Sequence, residues 1–431
     1  MLAAISSIFR TPDLRKKVLF ALAILALYRL GAVIPTPGVD YSAVQKCVEL
    51  VEGNSLYGVI NLFSGGALLQ LSIFALGVMP YITASIIIQL LTVVIPRLEN
   101  LKKEGQSGQA KMTQYTRYLT VGLAVLQTTG IIALARTPGR LFQGCDENIV
   151  PNQSIPIILT MILVMTTGTV VVMWFGELIT ERGIGNGMSL LIFASILAGF
   201  PSQFAAIYQS RGAFLLSMVL LVSLVTITLV VYVEQAQRRI PVQYAKRQIG
   251  NKLYGGASTY LPLKVNMAGV IPVIFASSLL YIPQLIVSLS GAESSWAQWV
   301  QRNFTQGTEP AYLLTYFLLI IFFAYFYVAI TFNPIEVADD MKKYGGFIPG
   351  IRPGKPTAEY LNYVLSRLTF PGSLYLAVIA IIPFAGFAFL GVGQNFLFGG
   401  TSLLIMVGVG LDTVKQLQSQ LQQRNYEGFL R

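Results

Sequence analysis

Apolar and polar residues do not alternate along this chain. The apolar ones arrive in runs of roughly 20, the length at which an α-helix crosses a bilayer. The pattern predicts ten spanning helices, near residues 18–34, 73–95, 116–135, 155–175, 187–205, 213–233, 268–288, 311–332, 369–390 and 400–416. Two of these runs open on one phrase. "GVMPYITAS" (77–85) and "GVIPVIFAS" (269–277) keep Gly, Val, Pro, Ile, Ala and Ser at the same offsets. The phrase belongs to the second helix of the first five and to the second helix of the last five. With five helices in each half, a repeat must be inverted across the membrane, so two inverted halves are expected.

Pro80 and Pro272 cannot donate to the carbonyls of Leu76 and Ala268, which predicts a bend or break in each helix. In a membrane such a break is tolerated where protein or water meets the freed carbonyl. Around the first proline, Val78, Ile82 and Ile86 fall at i, i+4 and i+8 on one face, and Ile274 takes the place of Ile82 in the second copy. That spacing serves equally for a lipid-facing or packing surface. Thr83, Ser85, Gln89 and Thr92 add hydroxyls and an amide to the same helix, suited to cross-linking helices or to lining a wet seam. Upstream, "SLYGVINLFSGGALLQLS" (55–72) is apolar but broken by Gly58, Asn61 and "SGG". It reads as a re-entrant segment or as a loop at the interface.

Composition supports a polytopic membrane protein: 54% of the 431 residues are hydrophobic and 11% charged, with a mean hydropathy of +0.64. Histidine is absent and the only cysteines are Cys47 and Cys145, so neither a metal site nor acid–base catalysis is expected, and no cofactor. The amino terminus is amphipathic and leads into "DLRKK", with no cleavable signal peptide expected.

Charge orients the spans. Of the 30 Lys and Arg, 24 fall on one side and 5 on the other, with Arg29 inside the first span. The positive-inside rule then puts both termini in the cytoplasm. Arg29 lies near Pro35 and is expected to snorkel to the outer interface. Cys47 and Cys145 both fall in loops predicted external, where oxidation could join them, and the sequence leaves open whether they are bonded. Two cytoplasmic loops are long and basic, 234–252 and 339–357. In the second, Pro349, Gly350, Pro353 and Gly354 bracket Arg352 in a stiff turn that displays one guanidinium. A secondary transporter would need coupling charges at membrane depth, and these spans carry almost none apart from Arg29 near one end and Asp412 near the other. An intramembrane hydrolase would need paired acids or a His/Ser arrangement. A scramblase or insertase-like groove without a through-pore stays open on physical grounds.

Several blocks resemble the SecY family of protein-conducting channels: "LFSGGAL", "GVMPYITASIIIQLLTVVIP", "KKEGQSGQAKMTQYTRY", "GELITERGIGNGMSLLIF", "YAKRQ", "STYLPLKVNMAGVIPVIFASS", "GFIPGIRPGKPT" and "FGGTSLLI". They run in family order from about residue 57 to 405. The resemblance implies an all-α membrane protein with an hourglass pore between two inverted five-helix halves, 1–205 and 206–416, followed by a cytoplasmic tail, 417–431. It implies a pore ring of Val78, Ile82, Ile86, Met188, Ile192, Ile274 and Ile405. The family usually has isoleucine where Val78 and Met188 stand here. A plug helix would lie near 58–70, with Asn61, Phe63, Ser64, Gly65 and Gly66. The second helix of each half would form a lateral gate, carrying Pro80, Thr83, Ser85, Gln89, Pro272 and Ser277. The basic loops, through Arg238, Arg239, Lys246, Arg247 and Arg352, would dock the ribosome or the motor ATPase SecA. The resemblance also implies small SecE- and SecG-type membrane subunits, substrates bearing signal sequences, lateral release of apolar segments into lipid, and a place in the bacterial plasma membrane. A ring of apolar side chains suits the task, since it dewets when empty and yields to any passing chain.

Overall fold

The computed structural model describes residues 11–51, 65–137, 145, 147–244, 247–249, 252–254, 258–290, 295–304, 309–390 and 400–427. The expected plug residues Asn61, Phe63 and Ser64 lie outside the described residues, as does Lys246. The first half contains α1 (Pro12–Val33), α2 (Tyr41–Val51), α3 (Met79–Val94), α4 (Pro96–Lys103), α5 (Gln106–Ala135) and α6 (Ile155–Arg182). Next comes α7 (Gly187–Gln235), whose backbone leaves the helical region at Gly212, φ 81°. That break separates the fifth and sixth predicted spans. The second half adds α8 (Ile271–Ser290), α9 (Ser295–Phe304), α10 (Pro310–Thr331), α11 (Pro334–Lys343), α12 (Lys355–Leu390) and α13 (Gly400–Glu427).

Among the described residues, five helical stretches are long and apolar enough to cross a membrane: Gln106–Ala135, Ile155–Arg182, Gly212–Gln235, Pro310–Lys343 and Lys355–Ile382. The bent pair α3–α4, with 102° between its arms, makes a sixth. The remaining predicted spans are shorter or charged. α1 carries Asp13, Arg15, Lys16, Lys17 and Arg29, and α13 runs through Asp412 and Lys415 into a polar tail. Gly187–Pro201 and Ile271–Leu280 are apolar but short.

The second span is not helical from residue 73. Residues 65–78 form consecutive turns, and the helix starts only at Met79. Both prolines therefore fall in the first turn, where a missing N–H deprives no carbonyl, and neither kinks its helix. The Leu76 carbonyl, expected to be orphaned, accepts from the Met79 N–H at 3.3 Å. The two copies share two features of this start. Gly77 and Gly269 sit at φ 53° and 60°, a left-handed conformation that glycine adopts without a Cβ clash. The Val78 carbonyl then accepts from Ile82 N–H at 3.1 Å, and Val270 from Ile274 at 3.3 Å. The α3 helix ends at Ile95, extended at φ −103° and ψ 108°, because Pro96 excludes the helical conformation from the residue before it.

The mostly helical fold carries one small β addition on its basic loops. The two basic loops are not separate coils. β1 (Gln237–Tyr244), β4 (Ser258–Lys264) and β5 (Gly346–Phe347) make a three-stranded sheet in the order β4-β1-β5, and β2 (Arg247–Ile249) pairs with β3 (Lys252–Tyr254). Ile240, Leu263, Ile348, Leu361 and Val364 form its core against α12.

Candidate functional site: an apolar constriction between two helix bundles

One apolar cluster spans the centre of the molecule and draws on both halves. Val78 (1% exposed), Met188 (9%), Ile192 (3%) and Ile405 (1%) are buried in it, and Ile82 and Ile274 pack against its edge. These six side chains come from the starts of α3, α7 and α8 and from α13. Ile86 lies in the adjoining cluster with Val273, Phe275 and Leu404, which Ile82 also touches. Apolar side chains drawn from four separate helices close on one another here.

On the proposed gate helices, Pro80 and Pro272 are buried. Thr83 Oγ1 donates to the Met79 carbonyl at 3.0 Å, and Ser277 Oγ to that of Ile274 at 2.9 Å. These hydroxyls satisfy themselves within their own helices. Ser85 and Gln89 instead line a cavity of about 230 Å³ shared with Tyr81, Thr92, Lys102 and Thr331. It lies between α3, α5 and the end of α10. At its edge Lys102 Nζ donates to the Ile330 carbonyl at 3.1 Å, a cation at the negative end of a helix. α3 and α8 are in contact, as are α8 and α5.

Gly65 and Gly66 lie in the turns that precede α3, at φ 66° and 94°, and not in a helix. The Arg29 guanidinium donates to the Gly65 carbonyl. The same glycine packs on Ser195, with an added Cβ 3.0 Å from Ser195 Cα. Ser195 Oγ in turn shares a 2.8 Å hydrogen bond with the Tyr28 hydroxyl. The turn segment is seated further by Gly168 of α6, where a Cβ would lie 2.0 Å from the Ile73 carbonyl. The sequence shows that Arg29 is in a span, but nothing local says which way it points.

The sheet joins what the sequence kept apart. Pairing of Gln243 with Phe347 ties the two basic loops together. Arg238 and Arg239 are exposed on β1, with the Arg239 guanidinium 5.4 Å from the centre of the Tyr260 ring. Arg247 lies on β2, opposite Tyr254. Arg352 is exposed between Gly350 (φ 83°) and Gly354 (φ 102°), and its carbonyl accepts from Thr357 Oγ1 at 2.8 Å. Away from the platform, Cys47 and Cys145 are bonded, with Cα atoms 5.4 Å apart. Both are buried among Leu68, Leu71, Ile132, Leu134 and Met161, where the ends of α5 and α6 meet.

The family model for SecY matches residues 72–414. The chain belongs to the SecY family. Its SecY relatives include the protein translocase subunit of Streptomyces scabiei, 66% identical over 438 residues with all of both chains covered. That of Mycobacterium tuberculosis is 61% identical over 442 residues, again with all of both chains covered. The fold is similar to that of a solved protein-conducting channel, with TM-score 0.63 and 18% identity over 94% of this chain and 91% of that one. Canine Sec61, solved in its ribosome–channel complex from the endoplasmic reticulum, matches with TM-score 0.60 and 18% identity over the same shares. SecY proteins are multi-pass membrane channels that move polypeptides and catalyse no reaction of their own, as expected of a chain without histidine.

Proposed function

We propose that this SecY-family chain is the pore of a bacterial plasma-membrane translocon, with the apolar cluster around Ile192 as its constriction. The single observation that carries this reading is the convergence of Val78, Ile82, Met188, Ile192, Ile274 and Ile405 from both halves into one cluster. The halves divide at about residue 205, and 417–431 form a tail. The segment around Gly65 and Gly66 belongs to the plug, held near the constriction by Arg29. α3 and α8 are the lips of the lateral gate, and the cavity beside Ser85 and Gln89 is the wet part of its seam.

Both termini face the cytoplasm, as the 24-to-5 distribution of basic residues requires. The basic sheet then also faces the cytoplasm and suits ribosomal RNA or an acidic face of the SecA motor. Small SecE- and SecG-type subunits complete the assembly. The test is photo-crosslinking from residues 82, 405 and 224 to a translocating polypeptide arrested midway. The first two positions should capture the chain, and Leu224, exposed on α7, should capture lipid. Capture of the polypeptide from residue 224 alone would refute the assignment.

A further inference from the structure

The connection between the basic sheet and the gate helix α8 is unusually well fastened. α7 ends at Gln235, β1 begins at Gln237, and β4 returns to pair Lys264 with Gln237. The Val265 N–H extends that ladder by one bond, to the Ala236 carbonyl at 3.0 Å. The next residue, Asn266, is 3% exposed and is the one buried amide side chain among the described residues. Its Nδ2 donates to Glu234 Oε1 at 2.5 Å and to the Gly269 carbonyl at 3.1 Å. Both amide hydrogens are therefore used. One leads to the end of α7, the other to the left-handed glycine from which α8 starts.

Packing leaves this segment little room. A Cβ on Gly372 of α12 would lie 2.4 Å from the Val265 carbonyl, and one on Gly408 of α13 would lie 2.8 Å from Val270 Cγ2. The internal repeat shows that the amide is not needed merely to start such a helix. The residue at the same offset before Gly77 is Phe74, buried and stacked on Tyr28 at 5.9 Å between ring centres. Only the copy whose helix is continuous with the sheet carries the polar clamp.

We infer that Asn266 is a positioning residue that ties the start of α8 to the foot of the basic sheet, so that docking on the sheet moves the gate helix. The inference rests on the gate reading above. A merely structural role would cost stability and leave the link between docking and gate position intact.

The experiment uses the full chain in vesicles with spin labels at residues 93 and 279. Val93 and Leu279 are exposed on α3 and α8, and Cys47 and Cys145 stay bonded. Label distances are measured with and without a SecA-type motor held by a non-hydrolysable ATP analogue. In the otherwise native chain the motor should shift the distances. In Asn266→Ala and Glu234→Ala the long distances should already be populated without motor. The long-to-short ratio should rise about tenfold, the upper end of what one ordinary hydrogen bond contributes, and the motor should add no further change. Motor affinity should hold, since Arg238, Arg239 and Arg352 are untouched. Glu234→Gln keeps an acceptor oxygen and should behave as the native chain does. This Ala/Gln pair decides the matter even if Asn266→Ala fails to fold. If native labels move and the Asn266→Ala and Glu234→Ala labels move equally, the clamp is refuted and the gate stands. If native labels do not respond to bound motor, the gate reading falls and the inference with it.

Discussion

Replacing Ile192 by asparagine tests the constriction most directly. Ile192 is 3% exposed among Val78, Met188 and Ile405. Burying an isoleucine side chain contributes about 1.5–3 kcal/mol, and leaving an amide buried without partners costs about 1–3 kcal/mol. Both terms act only while the ring is closed. A wet, open pore hydrates the amide and has already lost the contact. The closed state should therefore lose about 2.5–6 kcal/mol relative to the open one, at 1.4 kcal/mol per decade a change of about 10²–10⁴ in their ratio. The assay is ion conductance of the purified full chain in planar bilayers. Ile192→Val removes one methylene, costs about 0.5–1.5 kcal/mol, and should leave conductance within about tenfold of the parent. Parent-like conductance in Ile192→Asn, with an unchanged melting temperature, would refute the idea that packing of these side chains is the seal.

Four further outcomes are expected. Gly168→Ala, which drives a Cβ into the Ile73 carbonyl, should cost about 1–3 kcal/mol and lower the melting temperature in detergent; an unchanged melt contradicts the close approach. Arg352→Glu should impair SecA-driven export of a secretory precursor while leaving the melting temperature unaltered. Loss of the Cys47–Cys145 bond should lower stability by well under the about 4.7 kcal/mol of a soluble loop of that length. The intervening spans already hold the two cysteines at one membrane face before folding, so a Cys47→Ser chain that cannot fold would overturn this argument. Asp40 caps α2, and the Ser42 hydroxyl, followed by the Ala43 and Ser42 amides, holds its carboxyl below the usual carboxylate range. A depressed value means that the cap is fully present above the ordinary carboxylate pKa and is lost as pH falls through the lowered one. Hydrogen-exchange protection at Ser42 and Ala43 should fall in that acidic window and be constant at neutral pH.

Much of the architecture was legible because a bilayer imposes a length. α5, α6 and α10 follow directly from runs of apolar residues, and the repeated phrase located α3 and α8. What escaped was conformation inside those runs. Residues 73–78 are as apolar as any helix, yet they turn; the signal was Gly77 ahead of Pro80, a left-handed residue followed by a first-turn proline. The sheet was obscured by Pro241 and Pro262 and by the basic residues of "QRRIPVQY" and "STYLPLK". Its short alternation (Ile240 and Val242 buried, neighbours exposed) is visible once it is sought. The bond from Asn266 to Glu234 joins residues 32 apart, and the contact of Arg29 with Gly65 is likewise non-local. No spacing rule reaches such pairs.

A rod that begins at a left-handed glycine can swing about that residue's two torsions without stretching a bond along its own length. On the gate reading proposed above, the two shutters hang from opposite sills, one toward each face of the bilayer, and a greasy segment slips sideways once either panel swings.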